Sequence, residues 1–130
     1  MNDNKLMNRA ADNIRILAAS MVEKANSGHP GGAMGGADFV NVLFSEFLVY
    51  DPENPAWEGR DRFILSKGHA GASIYAALAE CGFFDIEELK THYQNGSRLS
   101  GHVSHHLPGV DFSTGSLGHG LGAAVGFSYA

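Results

Sequence analysis

The 130-residue chain is 44% hydrophobic and 18% charged, which fits one folded domain with a core and excludes a disordered segment. Its net charge of −5, with nine scattered Lys and Arg, excludes a broad nucleic-acid footprint, because phosphate backbones are held by clustered cations. No apolar run approaches the roughly 20 residues that cross a bilayer, the start "MNDNKLMNRAADN" has no apolar leader core, and one cysteine, Cys81, allows no internal disulfide. A cytoplasmic protein is expected, with no membrane partner and with Cys81 serving as a small hydrophobe in "YAALAECGFF".

Taken in chain order, Leu6, Ala10, Ile14, Leu17 and Met21 form the stripe of an amphipathic helix. Asn26-Ser27-Gly28 ends it, with Pro30 as a stop just beyond. A second helix is expected from about Ala37, with Phe39, Val40, Leu43, Phe44, Phe47 and Leu48 on its apolar face. "YDPENPAWEGRD" reads as a polar turn region, and "RFILS" (62–66) as a short buried strand. "ASIYAALAECG" is predicted as helix. Asp85 and Glu88 suit the N-cap and N3 of another, with Ile86, Leu89 and Tyr93 facing inward. Residues 94–114 read as a long loop. "GSLGHGLGAAVGFSYA" then turns from glycine loop into helix, with Leu117, Leu121 and Val125 at fourfold spacing. Helices mixed with a short buried strand belong to an α/β layer fold, and one strand is not a sheet, so the chain reads as the first part of a larger domain.

Most of the seventeen glycines fall in three clusters, and histidines sit at the breaks they make. In "SGHPGG", Pro30 pushes the His29 backbone toward the extended region, which takes its side chain off the helix face. In "KGHAGAS", glycines near His69 let the backbone approach a ligand closely. The plain alternative for each histidine is a cap or a surface position. "HVSHH" (102–106) also admits a metal reading, a histidine-rich zinc module, although no cysteine pair supplies a second ligand cluster. "GSLGHGLG" could cradle a phosphate at a helix N-terminus or simply permit close helix packing; it lacks the Lys-Ser/Thr of a P-loop. No nucleophile elbow is present, so a hydrolase has little support.

Read together, "IRILAASMVEKANSGHPGGAMGGAD", "NPAWEGRDRFILSKGHAGASIYAAL", "LSGH" and "STGSLGHGLGAAVGFSYA" resemble the N-terminal part of transketolases, thiamine diphosphate enzymes, over nearly all of the chain from Ala10. The resemblance implies an incomplete thiamine-diphosphate-binding α/β fold, a doubly wound parallel sheet flanked by helices. Residues 1–130 would be the N-terminal portion of its diphosphate-binding domain. It implies transfer of a two-carbon ketol unit from a ketose phosphate to an aldose phosphate, or the same chemistry with another donor or acceptor. His29 would line the substrate channel and assist proton transfer. His69 would lie beside the diphosphate and the thiazolium, and His102 would contact the donor's C1 hydroxyl. Gly115 and Leu117 would give backbone contacts to the aminopyrimidine. Imidazoles suit such work, because they donate and accept protons near neutrality.

No metal ligand is expected within the chain. The family's Gly-Asp-Gly motif and its later Asn, which bind Mg2+ or Ca2+ with the diphosphate, would follow Ala130. Partners implied are sugar phosphates and the remaining transketolase domains, in the same chain or a separate subunit, assembled as a homodimer or heterotetramer. Ser116 and His119 replace the family's usual Pro and Gln, and "VSHHLPGVD" departs from its usual pattern, as in a split-subunit or transketolase-like branch.

Overall fold

The computed structural model describes residues 3–130. The first helix, α1 (Asn4–Ala25), is capped by the Asp3 carboxylate, which accepts a hydrogen bond from the Lys5 N–H at 3.1 Å. Its buried face is Ala11, Ile14, Ala18 and Met21, while Leu6 is exposed and Leu17 only part-buried. The expected stripe is therefore right from Ile14 onward. Its first turns project past the core, where an apolar residue finds nothing to pack on. The helix ends on Asn26, whose left-handed backbone (φ 48°) lets its N–H return to the Glu23 carbonyl at 3.0 Å.

Pro30 does not only stop α1. It opens a second helix, α2 (Pro30–Gly35), where its fixed φ suits the first position and its missing N–H costs nothing. Then α3 (Ala37–Val42) widens into one π-helical turn, Leu43–Phe47, closed by the Leu48 N–H on the Leu43 carbonyl at 2.9 Å. The single regular helix expected from Ala37 to Leu48 is corrected accordingly. The wide turn leaves Phe39 and Phe47 outside while Val40 and Phe44 are buried.

At the centre lies α4 (Gly71–Glu80), buried on every side from Gly71 to Ala79 and packed by α1, α2 and α3. Its five alanines between 72 and 79 allow that crowding, since small side chains let neighbours approach. A 3-10 helix, Ile86–Thr91, crosses one end, capped by the Asp85 carboxylate on the Glu87 N–H at 2.9 Å. The predicted inner face is only partly right there: Leu89 is buried, whereas Ile86 and Tyr93 are exposed. Glu88 does not close a capping box; both its carboxylate oxygens take the Arg98 guanidinium. The long loop after it is no surface strap, because Leu99, Val103, Leu107 and Val110 complete the core. The last helix, α5 (His119–Tyr129), keeps Leu121, Val125 and Phe127 exposed.

Among the described residues there is no β-strand, so neither the strand expected at 62–66 nor the doubly wound parallel sheet is seen. The polar groups around this segment are taken up without a ladder. The Phe63 N–H donates to the Asp111 carboxylate at 2.9 Å, and the Leu65 carbonyl accepts from the Thr114 hydroxyl at 2.6 Å. Arg60 adds an ion pair to Asp111 at 2.6 Å. The segment is tied to the loop that carries Asp111 and Thr114, and a strand needs a second strand beside it. Among the described residues no helix is long and apolar enough to cross a membrane.

Candidate functional site

Three chain breaks meet at one end of α4. His29 is the N-cap of α2, with the extended backbone (φ −124°, ψ 90°) that its following proline demands. His69 sits in the 3-10 turn Gly68–Ala70 that leads into α4. His102 lies in the long loop. The His29 ring centroid is 5.1 Å from that of His69 and 6.0 Å from that of His102, edge to face in both pairs. Residues 40 and 73 positions apart thus present a continuous imidazole surface. Partial burial, followed by the charges of His29, Lys67 and His102, holds the His69 imidazole below its ordinary value. At neutral pH it is an uncharged ring, able to accept on one nitrogen and donate from the other.

The loop bearing His102 is held from beneath. Tyr75 of α4 is fully buried, and its hydroxyl reaches the carbonyls of Ser100 at 2.7 Å and His102 at 3.1 Å. Burial pushes the phenol up to about 12, so it remains a proton donor throughout the working range of a protein. His92, also buried, points Nδ1 at the Leu99 carbonyl at 3.1 Å; a carbonyl only accepts, so the proton is on Nδ1. Gly101 passes so close to the Tyr93 hydroxyl that no side chain fits there.

The turn bearing His69 is fixed as tightly. A Cβ on Gly68 would lie 2.5 Å from the Thr114 carbonyl oxygen and 2.7 Å from its hydroxyl. A Cβ on Gly120 would lie 2.7 Å from Cα of Ser66. These approaches seat the start of α5, with the glycine turn before it, on the His69 segment. Gly115 follows Thr114 directly and is exposed; a Cβ on it would meet nothing within 4 Å. Leu117 is exposed as well. The structure thus brings His29, His69 and His102 together, with Gly115 one residue from the Gly68 contact and Leu117 further along the turn.

The other histidines do not join them. His105 hydrogen-bonds the Ser113 hydroxyl through Nδ1 at 2.8 Å and stacks on His106 at 4.1 Å. His119 packs its edge on Phe112. Among the described residues no three His, Cys, Asp or Glu side chains are placed to share a metal ion, so "HVSHH" does not form the zinc module considered from the sequence. Two site features escaped the sequence reading. Tyr75 looked like one more core residue of an apolar helix, and nothing in its spacing signals the loop above it. Lys67 stood in the quoted "KGHAGAS", where a cation two residues from a buried-side histidine was the available sign.

The profile of the family described as "Transketolase, thiamine diphosphate binding domain" matches residues 6–130. The chain belongs to the transketolase family. It is 49% identical over 122 residues to Transketolase 1 of Saccharomyces cerevisiae, covering 93% of this chain and 18% of the yeast protein. The transketolase structure from Campylobacter jejuni superposes with a TM-score of 0.90 at 43% identity, over 98% of this chain and 20% of that one. A transketolase from Pichia stipitis, solved in complex with sedoheptulose 7-phosphate, gives a TM-score of 0.89 at 39% identity, over 94% of this chain and 18% of its own. The chain therefore spans no more than a fifth of the length of these transketolases. Its residues fit the family's cofactor in one respect visible here: backbone with room where side chains would block approach, at Gly31, Gly35 and Gly115, beside histidines that can hold anionic oxygens.

Proposed function

We propose that this chain supplies the N-terminal part of a thiamine diphosphate site in a transketolase, which moves a two-carbon ketol unit from a ketose phosphate to an aldose phosphate. The observation that carries the reading is the meeting of His29, His69 and His102, from three separate segments, in a chain of this family. Thiamine diphosphate, when bound, supplies the carbon that stabilises the carbanion, a task no side chain here performs. His69 would sit beside its diphosphate. His29 would line the sugar channel, taking a proton from a substrate hydroxyl and returning it to a carbonyl oxygen. His102 would hydrogen-bond the donor's C1 hydroxyl, its loop kept in register by Tyr75. Backbone groups at Gly115 and Leu117 would meet the aminopyrimidine.

The sugar phosphate class is supported by the Pichia stipitis relative, whose structure holds sedoheptulose 7-phosphate. The remaining parts of the site, including ligands for Mg2+ or Ca2+, would come from further transketolase domains in the same chain or another subunit, in a homodimer or heterotetramer. In that assembly Phe63–Leu65 would become a strand of the doubly wound parallel sheet, its ladder completed by later segments.

The test is ketol transfer by the complete enzyme, with xylulose 5-phosphate and ribose 5-phosphate as the first pair. Turnover with that pair is expected, reduced at least tenfold by His69→Ala while the circular dichroism melt is unchanged. Activity only with other donors or acceptors would redirect the assignment to a transketolase-like relative. Full activity of the His69 variant would remove that residue from the site.

A further inference from the structure

A cleft of about 560 Å3 opens beside the three histidines, lined by Gly31, Gly32, Gly35 and Gly36 together with Ser66 and Lys67. Four glycines leave its wall without side chains, so a ligand there meets bare backbone. The Lys67 side chain lies across this wall: a Cβ on Gly32 would be 3.1 Å from its Cε and 3.4 Å from its Nζ. Its ammonium makes no hydrogen bond or ion pair among the described residues, in a chain with fourteen carboxylate side chains and net charge −5. The backbone beneath it is rigid, since Ser66 is clamped by Gly120 and Gly68 by Thr114. A free cation on a fixed base, at a glycine-walled cleft and two residues from His69, is a place for an anion.

Resting on the cofactor reading above, we propose that Lys67 binds the diphosphate of thiamine diphosphate at this cleft. Charge selects which end of the cofactor the ammonium meets. The thiazolium is cationic and repels it, whereas the diphosphate is the anionic part. Position selects the cofactor over the phosphate of a sugar. The segments clamped around Lys67 are those carrying His69 and Gly115, while His102 lies on the separate loop that Tyr75 holds. A lysine acts here as a compact point charge with three donors.

The experiment is calorimetric titration of the complete enzyme with thiamine diphosphate at fixed Mg2+, for wild type, Lys67→Gln and Lys67→Arg, at low and high salt. Lys67→Gln should raise Kd about tenfold at low salt and by less at high salt, and Lys67→Arg should recover most of the affinity. With saturating cofactor, the KM values for both sugar phosphates should be unchanged. An unaltered Kd in the glutamine variant overturns the proposal. A raised KM for the sugars with unaltered Kd also overturns it and gives the site to the substrate's phosphate. Wild-type protein that binds no thiamine diphosphate overturns the cofactor reading itself, and this inference with it.

Discussion

Replacing Gly68 by alanine tests the packing that seats the cofactor-side turn on His69. The added methyl would lie 2.5 Å from the Thr114 carbonyl oxygen, where ordinary contact begins near 3.4 Å, so the two segments must part by about 0.9 Å. Neither side yields cheaply. The obstacle is backbone, and Thr114 is held by its hydroxyl on the Leu65 carbonyl and its N–H on the Val103 carbonyl. Overpacking of this kind costs about 1–3 kcal/mol, and loss of the threonine hydrogen bond about 1 more, giving about 2–4 kcal/mol. For a domain of transketolase size that is a fall of roughly 4–15 °C in Tm. Gly31→Ala is the matched control, because its methyl meets no atom of this chain within 4 Å. It should leave Tm unchanged or raise it by about 1–3 °C, through the smaller entropy of the unfolded chain. Circular dichroism melting of both variants decides the matter. If Gly68→Ala melts with the control, the close approach of the two segments does not exist in the protein.

Tyr75→Phe keeps the buried ring but removes the donor to the Ser100 and His102 carbonyls; a loss of about 1–2 kcal/mol is expected in urea melts, with lower kcat from a loosened His102. Asp111→Ala strands Arg60 and the Phe63 N–H and should cost about 3 kcal/mol, part of which Asp111→Asn restores as an acceptor. His92 is held below its ordinary value of 6.5, burial outweighing the opposing pull of the Leu99 carbonyl. Below about pH 6.5 the unfolded chain binds a proton that the native one refuses, so stability should fall as pH drops. His92→Phe should flatten that slope, and the Tyr93 N–H still serves the Leu99 carbonyl. Burial likewise holds the Cys81 thiol above its ordinary value, so alkylation by iodoacetamide at neutral pH should be slow until denaturant is added.

The sequence was most legible where one helix face is buried by its neighbours. The α1 stripe from Ile14 onward and the apolar run of α4 follow directly from helical spacing. It was least legible where the outcome depends on a partner. "RFILS" has the composition of a strand, but a strand exists only as half of a ladder, and its neighbours' polar groups went to Asp111 and Thr114 instead. The π-helical turn after Val42 was hidden for another reason: one inserted residue preserves a plausible apolar period while turning Phe47 outward. At the site, glycine and proline around His29 and His69 announced that something approached the backbone. That the third ring would be His102, and not His105 or His106 from the same short stretch, was settled by the Tyr75 hydroxyl, a contact no local pattern encodes.

One consequence of Tyr75 concerns how such a protein can change. Its ring belongs to the core, packed among the alanines of α4, and its oxygen belongs to the His102 loop. A substitution that repacks the core by a few tenths of an ångström moves the loop by a similar amount. Selection for heat tolerance in α4 would therefore act on turnover as well, and libraries built there should be screened for both. Mutations in α1, which touches α4 from the far side of that ring's anchor, offer the same core a route to drift with less interference.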